Sequence, residues 1–400
     1  MKKKHAVVFL KNKIISFDSI LPLAIELNRC NGFRFEFLIW QDETYRTIIN
    51  DNIVIRDMAL DIGSIKNIDK RKYGRILNKV NKLLSVGMII VKHWLRNDYI
   101  FHFGALREYP LRVLPYFIRQ KYIVLCESSI LGRYITDNKY TVVDKTYTYS
   151  DEQFHYFRST NDIFLQYVKS TDVPIIEGVL VAFGKDWNWF KHLDSNKCKK
   201  LVFDQGKKSK SYSMFLENNI DRYLREEGLD KLDHSRSISF ILGHIGAGGE
   251  RNNYKNELLY EVFLALLDIN VNIILKPHMY CDMDIVNSII DSVPGIRKKI
   301  HITKLHPQIL SKISVIGLFS NTSTVRCEFK ECKLPVVQYR GKYLDKVSED
   351  HCTQYMCDDI ESLRAHILML LDKHNSMCRT GNKNIRHYND TCKYLSHIFC

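Results

Sequence analysis

Glycine and proline are rare in this chain, 18 and 8 among 400 residues, and nowhere do they cluster with serine. Flexible linkers of that composition are therefore excluded, and any domain boundary has to be a structured crossover. Long apolar runs are missing too. The longest, "LLSVGMIIV" at 83–91, is flanked by lysines and falls far short of the ~20 residues that span a bilayer. The basic start "MKKKHAVVFLKNK" has too short an apolar stretch for a secretory signal. The expectation is a cytoplasmic protein whose eleven cysteines are reduced. Also absent are a ring-stacking RNA motif, zinc-finger spacing and a helix-turn-helix pattern, so nucleic acid is not expected as a partner.

Two Cys-x4-Cys pairs, Cys327/Cys332 and Cys352/Cys357, come nearest to a metal site. They lack supporting His and Gly, and the first lies on a predicted helix, where a five-residue step turns side chains about 140° apart. No bound metal or other cofactor is expected.

What the chain does contain is charge of one sign and a regular alternation of elements. Lys and Arg number 59 against 45 Asp and Glu, a net +14. Such a field attracts phosphorylated or acidic ligands and anionic lipid. Four hundred residues with 45% hydrophobic content exceed one ordinary core and predict two domains.

Short β-branched and aromatic runs alternate with helical periodicity from the start: "AVVFL", "DSILPLAIELNRC", "FRFEFLIW", "DETYRTIIN", then "IVIRDM" as a third strand, "YIFHFG", the helical "LRVLPYFIRQ" and "YIVLCESS". Beyond residue 236 the alternation is cleaner, from "SISFILG" through "VNIILKP", "KIHIT" and "VIGLFS" to "PVVQY", each followed by a helical segment. The pattern predicts α/β architecture with two Rossmann-like, doubly wound domains. They cover 1–215 and 236–375, and 376–400 forms a helix packing back on the first. The helices "DIESLRAHILMLLDKH" and "NDTCKYLSHIF" are both expected to brace the first domain.

In such sheets ligands bind beyond the carboxyl ends of the strands. Those ends carry "GHIGAGGE" (with Gly243, Gly246, Gly248 and Gly249), "KPHM" (Lys276 to Met279), "KLHP", and "SNTST" (Ser320, Asn321, Thr322, Ser323 and Thr324). Glycines let backbone amides approach a phosphate, hydroxyls at a helix start offer further donors, and Lys276 and His278 add a cation and an imidazole. Each has an ordinary alternative: a flexible loop, an N-cap, a structural turn histidine. On neighbouring strand ends they form a diphosphate pocket. The Asp282-Met283-Asp284 pair looks like a metal motif, but Asp is also the expected N-cap of the helix that follows.

"ILKPHM" followed by "SNTST" resembles the His-Pro and Ser/Ser-Thr motifs of bacterial GT-B glycosyltransferases that use CMP-activated sugars, of sialyl-, polysialyl- and Kdo-transferase type. It is similar as well to the related CDP-glycerol and CDP-ribitol polyolphosphotransferases. "FDSILPLAIEL" looks like the first helix of such surface-polysaccharide enzymes. The resemblance centres on 236–340 and departs at Met279, where the motif has proline, and at Asn321; the literal His306-Pro307 opens a helix instead.

The resemblance implies a metal-independent glycosyltransferase with a nucleotide-activated donor and a glycan or lipid-linked acceptor. His278, Ser320, Asn321, Thr322 and Ser323 take the donor-phosphate role. The sialyl-type acidic-Gly base corresponds to Glu177 in "PIIEG" or to Glu226-Glu227-Gly228 in "REEGLDK", where a glycine helix cap is the ordinary reading. Glu177, at the end of an apolar run, is preferred, with Glu127 in "VLCESS" next. Alternatives are a polyolphosphotransferase and a non-catalytic carbohydrate- or nucleotide-binding protein of the same fold.

Finally, 66–96 carries Lys66, Lys70, Arg71, Lys72, Arg75, Lys79, Lys82, Lys92 and Arg96. With Ile76, Leu77, Val80, Leu83 and Leu84 at helical spacing, this segment suits an anionic membrane surface. A helix packed on its own sheet with a solvated basic face fits as well.

Overall fold

The computed structural model describes residues 4–10, 14–69, 75–103, 113–128, 178–183, 199–203, 209–248, 250–279, 281–320, 323, 325–341, 353–378 and 392–399. The chain divides into two compact units, one formed by Met1–Asn218 with His387–Cys400, the other by Asn219–Arg386.

The first unit begins with β1 (His5–Leu10), α1 (Ile14–Asn31), β2 (Arg34–Ile39), α2 (Asp42–Asp51), α3 (Ile53–Ile62) and β3 (Gly63–Asn67). It continues with α4 (Arg75–Arg96), β4 (Tyr99–Phe103), α5 (Leu114–Phe117), β5 (Ile123–Ser128), β6 (Val179–Phe183) and β7 (Lys199–Val202), and α6 (Lys210–Glu226) begins in it and ends in the second unit. Among the described residues its seven strands run in the order β3-β2-β1-β4-β5-β6-β7, all parallel.

"IVIRDM" is part of α3, not a strand. Its buried residues Val54, Ile55, Met58, Ala59 and Ile62 fall three and four apart, and that spacing overrides the β-branched composition. The third strand is β3, "GSIKN", on the sheet edge. Of "LRVLPYFIRQ", only Leu114–Phe117 is α-helical among the described residues, and Gln120 opens a 3-10 turn.

The second unit holds β8 (Ser237–Ile241), α7 (Glu250–Leu266), β9 (Asn272–Lys276), α8 (Met283–Asp291), β10 (Ile300–Ile302) and α9 (Pro307–Leu310). Then follow β11 (Ile316–Phe319), α10 (Val325–Glu331), β12 (Val336–Tyr339), β13 (Tyr355–Cys357) and α11 (Ile360–Cys378). Among the described residues its six parallel strands are ordered β10-β9-β8-β11-β12-β13. Phe240, Phe263, Ile273, Leu275, Val286, Leu318 and Val337 fill its core together with Leu363 and Ile367. Leu363 and Ile367 lie on α11, which packs on α7 and so belongs to this unit instead of bracing the first.

α12 (Cys392–Phe399) does pack on α1. Phe399 completes an aromatic cluster with Phe33, Tyr99 and Phe101. Lys4 Nζ donates to the Phe399 carbonyl at 2.9 Å and Lys199 Nζ to that of Ile398 at 2.8 Å. These are cations at a helix C-terminus, where orphan carbonyls need donors. Cys126, Cys281, Cys332 and Cys357 are free thiols. Cys30 is disulfide-bonded, against the expectation that all thiols are reduced.

Candidate functional site

In the second sheet the chain leaves β8 toward β9 and β10, then returns on its other side to β11. The gap between β8 and β11 is the topological switch point at which such sheets bind ligands. Register levels the strand ends, since Ile241 pairs with both Lys276 and Phe319. The segments after β8, β9 and β11 therefore rise side by side.

The glycine segment after β8 is clamped. Leu242 N donates to the Lys276 carbonyl at 3.0 Å and Asp282 N to that of Ile245 at 2.9 Å. Cys281 Sγ reaches the Gly243 carbonyl at 3.0 Å, and Lys255 Nζ that of His244 at 2.9 Å. Gly243 and Gly246 are buried, whereas His244 turns outward. Gly248 holds a left-handed φ of 74°, a conformation that favours glycine.

His278 projects from the loop after β9 and is exposed. Its ring lies 6.3 Å from that of His244, inclined at 70°. Its pKa is held below the ordinary imidazole value, first by desolvation among the loops and then by the charges of His244, Lys276 and Lys255. A field that disfavours a proton on His278 also attracts an anion to it.

Lys276 leans the other way. Its Nζ donates to the Lys304 carbonyl, 3.2 Å away beyond the end of β10. The structure thus joins His278 to the glycine segment but directs Lys276 away from the switch point. Ser320 is half-buried at the end of β11. The Ser323 hydroxyl accepts from Val325 N at 3.3 Å, acting as a cap, and Asn321 and Thr322 lie outside the described residues.

Asp282 caps α8, accepting from Asp284 N at 3.1 Å and Ile285 N at 3.4 Å. Asp284 stands in the first turn of that helix. His306 likewise caps α9 through the Gln308 amide. Among the described residues no three His, Cys, Asp or Glu side chains gather as metal ligands would.

Glu177 lies outside the described residues. Glu127 sits near the carboxyl end of β5, paired with Ala182 of β6. Glu227 accepts from Thr303 Oγ1 at 2.7 Å and from Lys304 N at 3.3 Å. Gly228 caps α6 at φ 68°, so "REEG" reads as a helix end.

Three features escaped the sequence reading. His244 was visible only as one letter of a glycine-rich loop. Arg326, 3% exposed, anchors the hydroxyl loop: its guanidinium donates to the Ser323 carbonyl at 3.1 Å, to Thr353 Oγ1 at 2.8 Å and to Gln338 Oε1. At the amino edge of the first sheet, His5, Arg34, Glu36, Lys92, His93 and Arg96 line a cavity of about 370 Å³. There His93 Nδ1 meets Asp98 at 2.6 Å, and Nε2 faces Glu36 at 3.6 Å. Burial alone would lower the His93 pKa, but Asp98 and Glu36 outweigh it and raise the value.

No protein-family model matches the chain, and no curated protein sequence matches it. Solved structures do. UDP-GlcNAc 2-epimerase from Methanocaldococcus jannaschii overlays 98% of this chain and 99% of its own at TM-score 0.53 and 14% identity. A UGT transferase from Siraitia grosvenorii, solved with UDP, covers 99% and 100% at TM-score 0.52 and 8% identity. A putative UDP-N-acetylglucosamine 2-epimerase from Listeria monocytogenes covers 94% and 90% at TM-score 0.51 and 13% identity. Identities this low speak for architecture alone, and the architecture agrees over almost the whole chain: two Rossmann-like parallel α/β sheets, the GT-B fold.

Proposed function

We propose that the chain is a metal-independent glycosyltransferase that moves a sugar from a nucleotide-activated donor to a surface glycan or lipid-linked acceptor. The donor's phosphates sit at the β8–β11 switch point. The observation that carries this reading is the pairing of His278 with His244 over the clamped glycine segment, in the field of Lys255 and Lys276. Sugar transfer leaves negative charge on the departing phosphate, and fixed N–H donors lower its energy in the transition state. His278 supplies one donor, the amides and hydroxyls at Gly243, Gly246, Ser320, Asn321, Thr322 and Ser323 supply others, and Lys276 swings from the Lys304 carbonyl to add a cation. Glu177, or else Glu127, takes the acceptor hydroxyl's proton.

The sequence motifs favour a CMP-sugar as donor. UDP-sugars enter the same test because the M. jannaschii neighbour is named for UDP-GlcNAc. Thermal-shift screening against CMP-sugars, CDP-glycerol, CDP-ribitol and UDP-sugars identifies the nucleotide, and release of that nucleotide in the presence of an acceptor reads turnover. His278→Ala lowers turnover on the order of 10²-fold or more with unchanged circular dichroism, and EDTA leaves turnover intact. Near-normal turnover in that variant removes the phosphate-site reading. Binding without release makes the chain a nucleotide-binding protein. Epimerised UDP-GlcNAc without release makes it an epimerase.

A further inference from the structure

The turn that leaves β11 rests on a buried cation. Arg326 stands in the first turn of α10 and reaches back under the segment that leads into that helix. The Ser323 carbonyl accepts from the Arg326 backbone amide and from its Nε, both at 3.1 Å. Nη1 donates to Thr353 Oγ1 at 2.8 Å and to Gln338 Oε1. Gln338 lies on β12 in register with Phe319, the last residue of β11. The guanidinium therefore ties the turn to β12 and to the residues entering β13, at the level where Ser320 leaves the sheet.

This arrangement costs stability. Thr353 Oγ1 also donates to Gln338 Oε1, at 3.2 Å, so that oxygen takes two donors. The Gln338 Nε2, in a side chain 0% exposed, makes no hydrogen bond. A buried amide left half-paired and a guanidinium taken out of water both oppose folding. Apolar side chains of similar volume often fill such a position equally well or better. Packing alone thus gives no reason for a cation here. An anion at the turn above does give one, because a fixed charge acts strongly across a short, poorly solvated distance. Costly groups gather where ligands bind.

We propose that Arg326 is a positioning residue for the donor's phosphates. Through the Ser323 carbonyl it fixes the turn beyond β11, and its charge draws phosphate to that turn. The inference rests on the donor site proposed above and adds to it a residue that touches no substrate.

The test is calorimetric titration of the full chain with CMP and UDP, and with cytidine and uridine as their phosphate-free counterparts. The ratio of nucleotide to nucleoside affinity isolates what the phosphate contributes. In Arg326→Met/Gln338→Met, apolar side chains replace both partners. There the ratio should fall about tenfold or more, with nucleoside affinity unchanged and melting at the native temperature or above. Thr353→Val keeps the cation but removes one acceptor, and should lower the ratio about threefold. A native ratio in the double variant overturns the proposal, as does an equal loss of nucleotide and nucleoside affinity. If the double variant fails to fold, an unchanged ratio in Thr353→Val overturns it instead. A native chain that prefers neither CMP to cytidine nor UDP to uridine removes the donor site itself, and this proposal with it.

Discussion

At the scale of single residues, the charge on His278 is coupled to whatever occupies the rim. Its folded pKa lies below the ordinary 6.5, so the free protein holds it neutral near pH 7. A donor phosphate beside it favours the protonated form and raises that value. Binding should then take up a proton and tighten as pH falls from neutrality through 6.5. Calorimetric titration with the screened nucleotide, in two buffers of different ionisation heat, measures this uptake. It should vanish in His278→Asn, and identical heats in both buffers for the native protein count against a phosphate at this imidazole. In the unliganded protein the sign concerns stability. A histidine with a lowered folded pKa stabilises the fold above 6.5 and loses that share as pH falls toward the folded value. His93, with its raised value, does the reverse, stabilising fully below 6.5 and less as pH rises through its folded pKa.

At the scale of elements, β11 shows how packing beneath the rim holds the rim. A methyl on Gly317 would meet the Phe329 ring at 2.5 Å and that of Phe319 at 3.1 Å, where those rings pack edge to face at 5.5 Å. Gly317→Ala should therefore destabilise the protein by roughly 1–3 kcal/mol and weaken nucleotide binding, since Ser320 follows this strand directly. Unchanged melting would show that Phe329 has room to yield. The buried runs "SISFI" and "NIILK" announced β8 and β9, because a strand covered on both faces reads as continuous apolar sequence. At the edges "KIHIT" marked β10, but two others did not announce themselves: "GSIKN" offers one large apolar residue, and β13 is three residues long. His278 could be found from its place after such a strand. The turn of Lys276 toward Lys304, the burial of Arg326 and the meeting of His93 with Glu36 could not. They depend on which distant segments become neighbours, and no local pattern encodes that.

At the scale of the whole molecule, the first unit is discontinuous. Leu395, Ile398 and Phe399 are buried in it, although the second unit intervenes in the chain. Removing 387–400 should cost the first unit on the order of 5 kcal/mol, from about 1.5–3 kcal/mol per large buried apolar side chain. Hydrogen exchange in β1, β2 and β4 should accelerate while β8, β9 and β11 stay protected; equal acceleration in both sheets would refute the division. The same feature sets a schedule for biosynthesis. The 168 residues from Asn219 to Arg386 take a ribosome roughly 10–30 s at 5–20 residues/s. Throughout that interval the Phe33–Phe101 cluster lacks its closing ring. The unit translated first is thus finished last, and while it waits, its open aromatic pocket is a target for chaperones.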